Sequence, residues 1–197
     1  MPYYKKIKQL CCLYLFALFV ASALPANASS SSLVIKEAEI SAFDENYVLN
    51  ADVDIKFNSE IEQAISKGFE LNFLVEFQLL SPRKYWFDDE IVTVTQRILL
   101  SYHALSRQYL LIRGDQQKVF ATLDEAKQTL SEIRDLKVFQ KSDLEKGEVY
   151  KAILLMRLDY TKMSKALQVD AIGSDDWKMA SPRFEWQPNL VKVEPSK

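Results

Sequence analysis

Along residues 47–57, YVLNADVDIKF, apolar side chains recur at every second position. Tyr47, Leu49, Ala51, Val53, Ile55 and Phe57 share one face, and Val48, Asn50, Asp52, Asp54 and Lys56 share the other. FELNFLVEFQLL (69–80) repeats the pattern, with Phe69, Leu71, Phe73, Val75, Phe77 and Leu79 set against Glu70, Asn72, Leu74, Glu76, Gln78 and Leu80. Successive side chains of a strand point to opposite faces, so this alternation predicts half-buried antiparallel strands. Val92, Val94, Ile98, Leu100 and Tyr102 form one face of a third strand, with Thr93, Thr95, Arg97, Ser101 and His103 opposite. RQYLLIR (107–113) follows after a short link, and the pair predicts a hairpin. In YKAILLMRLDY (150–160), Tyr150, Ala152, Leu154, Met156, Leu158 and Tyr160 share a face, with Arg157 and Asp159 on the other. Shorter strands are predicted at 33–41, 118–121, 137–141 and 183–187.

Helical signals are fewer. Ser59 with Glu62, and Thr122 with Glu125, both fit the capping box, in which a hydroxyl and a carboxylate satisfy orphan backbone donors reciprocally. The first predicts a short helix near 59–67 that ends at Gly68. The second opens a stripe of Leu123, Ala126, Leu130 and Ile133 at helical spacing. A third short helix is predicted over 162–168. The fold class is mainly β within α+β, an antiparallel two-sheet sandwich with two or three short helices in its connections.

The ends of the chain add a compartment. Lys5, Lys6 and Lys8 precede an apolar run from Leu10 to Leu24, and Pro25 and Ala26-Asn27-Ala28 follow. That layout predicts a secretory signal peptide, residues 1–28, forming an N-terminal signal helix and cleaved after Ala28. The run is shorter than the roughly 20 residues of a stable span, so no membrane span is expected after cleavage. An uncleaved segment anchoring the chain in the inner membrane is the alternative. Residues 29–32 read as a flexible lead, 33–190 as a single β-rich domain and 191–197 as a tail. Both cysteines, Cys11 and Cys12, lie in the apolar run, so the exported chain has no disulfide framework. Removing the three lysines leaves 22 basic residues against 27 acidic and moves the formal charge from −2 to −5. A mildly acidic exported chain is a poor match for nucleic acid.

Candidate chemistry is sparse. His103 is the lone histidine, which is thin for zinc or copper, and Asp88-Asp89-Glu90 and Asp175-Asp176 lack the spaced loop of a calcium site. No metal or cofactor is expected. Ser101 and His103 share a strand face, but Gly68, Gly114, Gly147 and Gly173 are isolated, so nothing resembles a nucleophile elbow or phosphate loop. No catalytic residue is assigned.

Binding fits the composition better. Arg83, Lys84, Tyr85, Trp86 and Phe87 combine large rings with cations, as interface hot spots do, and Trp177 and Trp186 add two anchors near the C-terminus. Folding back to plug a sandwich mouth is the commoner fate of such rings, and a docking surface is the other. Arg97, Arg107, Arg113 and Arg157 are placed to pair across strands with Glu and Asp.

YWFDDEIVTVTQRILLSYHALSRQYLL (85–111) resembles the DUF4390 family of proteobacterial exported proteins. The residues that carry the likeness are Tyr85, Trp86, Asp88, Asp89 and Glu90, then Tyr102, His103, Ala104, Leu105, Ser106, Arg107, Gln108 and Tyr109. The resemblance implies an envelope-side accessory or sensing role, linked to a membrane sensor kinase of the nitrogen-regulation type, and brings no catalytic residues. The reading is therefore a periplasmic, non-catalytic binding module with an envelope protein or peptide as partner. Its contact surface is expected over Arg83 to Glu90, with Tyr102, His103, Arg107 and Tyr109 nearby. A hydrolase using His103, and a small-ligand or lipid carrier with a lumen between its sheets, are the competing classes.

Overall fold

A computed structural model of the chain describes residues 31–145, 147–165, 167–168 and 177–190. The expected signal peptide and the 191–197 tail lie outside these residues. Nine strands are described: β1 (Ser32–Phe43), β2 (Asn46–Lys56), β3 (Leu71–Ser81), β4 (Asp89–His103), β5 (Gln108–Arg113), β6 (Gln116–Phe120), β7 (Glu132–Gln140), β8 (Lys151–Leu158) and β9 (Phe184–Trp186). Two α-helices, α1 (Ser59–Ser66) and α2 (Leu123–Ser131), sit in connections. The strands form two antiparallel sheets, in the orders β1-β2-β7 and β6-β5-β4-β3-β8-β9. The mainly β, two-sheet expectation is met. β1 begins at Ser32, which pairs with Lys56, one residue before the strand expected from 33.

The periodicity places the core correctly. Tyr47, Leu49, Ala51, Val53 and Ile55 of β2 are buried against Leu71, Phe73, Val75, Phe77 and Leu79 of β3, with Leu154, Met156 and Leu158 of β8 beside them. Rings bridge the sheets: Phe139 lies 4.7 Å from Tyr47 and 6.2 Å from Phe77, and Phe57 lies 6.1 Å from Phe73. These contacts orient the sandwich, because Tyr47 and Phe139 lie toward the Phe77 end of β3 and Phe57 toward its Phe73 end. The β1–β2 turn, the β3–β4 loop and the β7–β8 connection therefore share one end of the molecule. The β4–β5 turn and α1 share the other.

Four details depart from the pattern. β3 is buried on both faces over Leu71 to Val75, not half-buried. It is a central strand: the Asn72 backbone carbonyl accepts from the Asp159 N–H at 2.7 Å, and on its outer face Leu74 sits between Arg97 and Arg157. The cap of α1 is Asn58, not Ser59: Asn58 Oδ1 accepts from Ile61 N at 2.9 Å. Asn caps as well as Ser, so the helix starts one residue earlier than the Ser59–Glu62 box implies. Gly68 does close α1, at φ +86, with its N–H on Ile65 O and Phe69 N–H on Ala64 O. Thr122 and Glu125 form the expected box, but α2 stops at Ser131 and β7 begins at Glu132, well before 137. Ile133 suited the helical stripe and is buried as a strand residue instead. Finally, the third helix is a 3-10 turn over Tyr160–Lys162 followed by helical residues 165, 167 and 168, with residue 166 outside the description.

Candidate docking site

β4 carries the candidate residues at its two ends, and they are not neighbours. Fifteen residues separate Asp89 from His103 inclusive, which at about 3.3 Å per residue is roughly 45 Å of strand. The proximity expected between Arg83–Glu90 and the 102–109 turn does not hold, because no turn falls between them to fold the strand back.

The 82–88 loop joins β3 to β4. Tyr85, Trp86 and Phe87 are 87 %, 74 % and 86 % exposed, so the rings do not plug the sandwich. Tyr150, Phe139 and Trp186 already fill that mouth from the core side, leaving the loop rings outside. The loop is nonetheless braced at its base. Arg83 pairs with Asp89, and Asp88 takes a 2.8 Å contact from Lys151 Nζ at the start of β8. Lys151 also lies 3.9 Å from Glu185 of β9. The hydrogen bond from Lys151 holds the Asp88 carboxyl below the usual carboxylate range, and Asp88 in turn raises Lys151 above the usual lysine value. Glu90 accepts from Thr93 Oγ1 at 2.7 Å, and Lys84 Nζ lies 5.7 Å from the Tyr85 ring. Phe43 in the β1 end of its hairpin and Val149 before β8 are also exposed at this end.

The turn end differs. Tyr102 and Tyr109 face each other across β4 and β5 with rings 4.9 Å apart, both half-buried. His103 is exposed, and its Nδ1 meets Ser106 Oγ at 3.1 Å and the Ser106 N–H at 3.4 Å, which closes the turn. Arg107 takes a left-handed φ of +55 as the turn's last residue. Ser101, read as lying beside His103 on an exposed face, is buried.

Trp177 and Trp186 serve the interior. Trp177 is buried, and its carbonyl accepts from Tyr160 Oη. Trp186 is half-buried, 6.3 Å from Phe77 and 5.5 Å from Phe184. The arginines also divide. Arg157 grips Glu76 with two contacts, at 3.1 and 3.0 Å, and Arg97 lies 3.4 Å from Asp159. Asp159 is buried rather than on a polar face; burial pushes its carboxyl up, and the Thr161 hydrogen bonds with Arg97 and Arg157 outweigh it, for a net lowering. Arg113 turns inward and donates to the Thr129 and Glu132 carbonyls, at 3.3 and 2.9 Å, where α2 ends. Sequence reasoning missed this last role, because an arginine on a short edge hairpin reads as solvent-facing.

Among the described residues no three His, Cys, Asp or Glu side chains converge as a metal site, and no helix is long and apolar enough to cross a membrane. No curated protein and no solved structure matches the chain. The model of the domain of unknown function DUF4390 matches residues 30–187, and the chain belongs to that family.

Proposed function

We propose that this protein is a non-catalytic binding module of the cell envelope, exported by its N-terminal segment, that docks through Tyr85, Trp86 and Phe87. The carrying observation is the pairing of three fully presented rings with a charge-braced loop. Exposing three adjacent large rings to water is unfavourable for an isolated molecule, and their burial in a partner releases that surface. A loop pinned at its base loses less freedom on binding than a free one. The partner is an envelope protein or peptide, and the accessory link to a membrane sensor kinase belongs to this reading.

The arrangement of His103 weighs against a hydrolase. Its ring nitrogen is engaged with Ser106 inside an exposed four-residue turn, which is the bonding of a turn lock. The rings packed between the sheets weigh against a lipid lumen.

A photo-crosslinker at position 86 of the full chain, expressed in a Gram-negative host, tests the docking reading. It should yield a discrete product that disappears when Tyr85 and Phe87 become Ser. The same probe at Leu105, 93 % exposed at the opposite end, should not give that product. Equal capture at both positions would sink the assignment. N-terminal sequencing of the accumulated chain tests export: Ser29 supports cleavage after Ala28, while an intact Met1 in the membrane fraction supports the anchored form.

A further inference from the structure

β5 pairs with β4 only over Ile98 to His103, so among the described residues Asp89 to Arg97 are bonded to β3 alone. Alternate residues of this stretch turn their N–H and C=O groups away from β3 into an open edge.

The other edges are guarded in the ways sheets normally guard them. β1 carries Lys36, Glu37 and Glu39 with a register shift between Ile35 and Glu37. β7 carries Arg134, Asp135 and Lys137 with two shifts, while β6 has five residues including Lys118 and β9 has three. The β4 edge has Asp89, Glu90 and a register shift at one end and Arg97 at the other, but between them it holds five successive β-branched residues, Ile91 to Thr95, with no charge and no Pro, and is regular from Val92 onward. This is the composition of a strand that accepts another strand.

The space beside it is shaped accordingly. Two open grooves of about 590 and 450 Å³ meet at Gln96 and Leu136, one on each side of the point where β5 turns away at Gly114. Gly114 has a φ of +57 and leads a two-residue hairpin loop between Arg113 and Gln116, which carries the chain off into β6. Across the groove, β7 bulges at Asp135, a non-glycine residue at φ +51 whose N–H is held by Asn50 Oδ1 at 3.0 Å. Such bulges cluster where a sheet receives a ligand. Two residues that line the larger groove each bury a polar atom with no hydrogen-bond partner among the described residues: Gln96 Oε1, an acceptor, and Arg113 Nε, a donor. A strand continuing the line of β5 past Arg113 would place its next inward residue opposite Gln96.

From these coincident features we infer that the open edge of β4 captures an extended peptide segment of a partner protein by strand addition. The segment is about six residues long, roughly 20 Å of extended chain. Its inward side chains are small and apolar, to meet Val94 and Leu136, and its outward ones are polar, beside Thr93 and Thr95. A second copy of this chain fits worse. Antiparallel pairing of the two edges about Thr93 would set the 82–88 loop of one copy against the Gly114–Asp115 turn of the other.

The experiment selects random heptapeptides displayed on phage against the full chain and repeats the binding with Thr93→Pro and Val94→Pro. Adjacent residues point their N–H groups to opposite sides of a strand, so one variant loses a bond to β3 and the other only an edge donor. Enriched peptides should alternate apolar and polar residues and bind about ten-fold or more weakly to whichever variant keeps its melting temperature. In the unsubstituted chain, bound peptide should slow amide hydrogen exchange within 92–97 and leave 83–88 unchanged. The exchange result decides the matter even where both proline variants unfold. No enriched peptide, unchanged affinity for the folded proline variant, or protection confined to 83–88 would overturn the inference. So would a dimer in sedimentation that the same proline abolishes.

Discussion

The two ends of β4 are built from similar residues and do different work. At one end Tyr85, Trp86 and Phe87 stand in solvent while Arg83–Asp89 and Asp88–Lys151 pairs hold the loop beneath them. At the other, Tyr102 and Tyr109 pack on each other and a His103–Ser106 bond closes the turn. Aromatic residues beside charges therefore do not define a site. What separates the two ends is whether the rings satisfy one another or are left for something else.

The largest expected effect lies near the turn end, where Ile98 is fully buried opposite Phe73 and begins the pairing with β5. Ile98→Ala should cost about 2–5 kcal/mol of unfolding free energy in urea titration. A cost under about 1 kcal/mol would show that this end is not held by the core. Tyr109→Ala removes half of the 4.9 Å ring pair and should cost about 1–2 kcal/mol by the same measurement. Trp86→Ala, in contrast, should change stability by no more than about 0.5 kcal/mol while abolishing capture at the loop. A loss of about 3 kcal/mol would restore the plug reading.

The smallest effect is one of pH on the loop brace. Asp88 has a lowered folded-state pKa, so its contribution is present above the ordinary carboxylate value, about 3.9, and is lost as pH falls through the lowered one. Lys151 has a raised value, so its contribution is present below the ordinary lysine value, about 10.4, and is lost as pH rises through the raised one. Between those limits the Trp86 indole resonance of labelled protein should stay fixed, and below about pH 4 it should move. Lys151→Met should produce the same movement at neutral pH with little change in melting temperature. A resonance indifferent to both would show that the brace does not position the rings.

Much of the fold was legible in the residues. Strand alternation marked the inward faces of β2, β3, β4 and β8, and the Thr122–Glu125 box marked the start of α2. Alternation could not tell that β3 is central, since Leu74 and Asn72 are covered by neighbours distant in sequence. Nor could helical spacing reveal where α2 ends, because Leu130 and Ile133 are buried equally well by a helix or by a helix followed by a strand. The candidate rings were legible as large and adjacent, but their exposure was not. That depended on whether Phe139, Tyr150 and Trp186 filled the mouth first.

By itself the sequence determined where the long strands lie, which of their faces turn inward and, to within a residue, where two helices begin, because these follow from local periodicity and from hydrogen bonds made within a few residues. Only the tertiary structure decided that the rings of the 82–88 loop stay outside and that β5 leaves β4 half unpaired. It also brought Gln96 and Arg113 to one groove, with Gln96 Oε1 and Arg113 Nε lacking hydrogen-bond partners among the described residues. Those outcomes depend on which distant strands compete for the same space, and no local pattern records the winner.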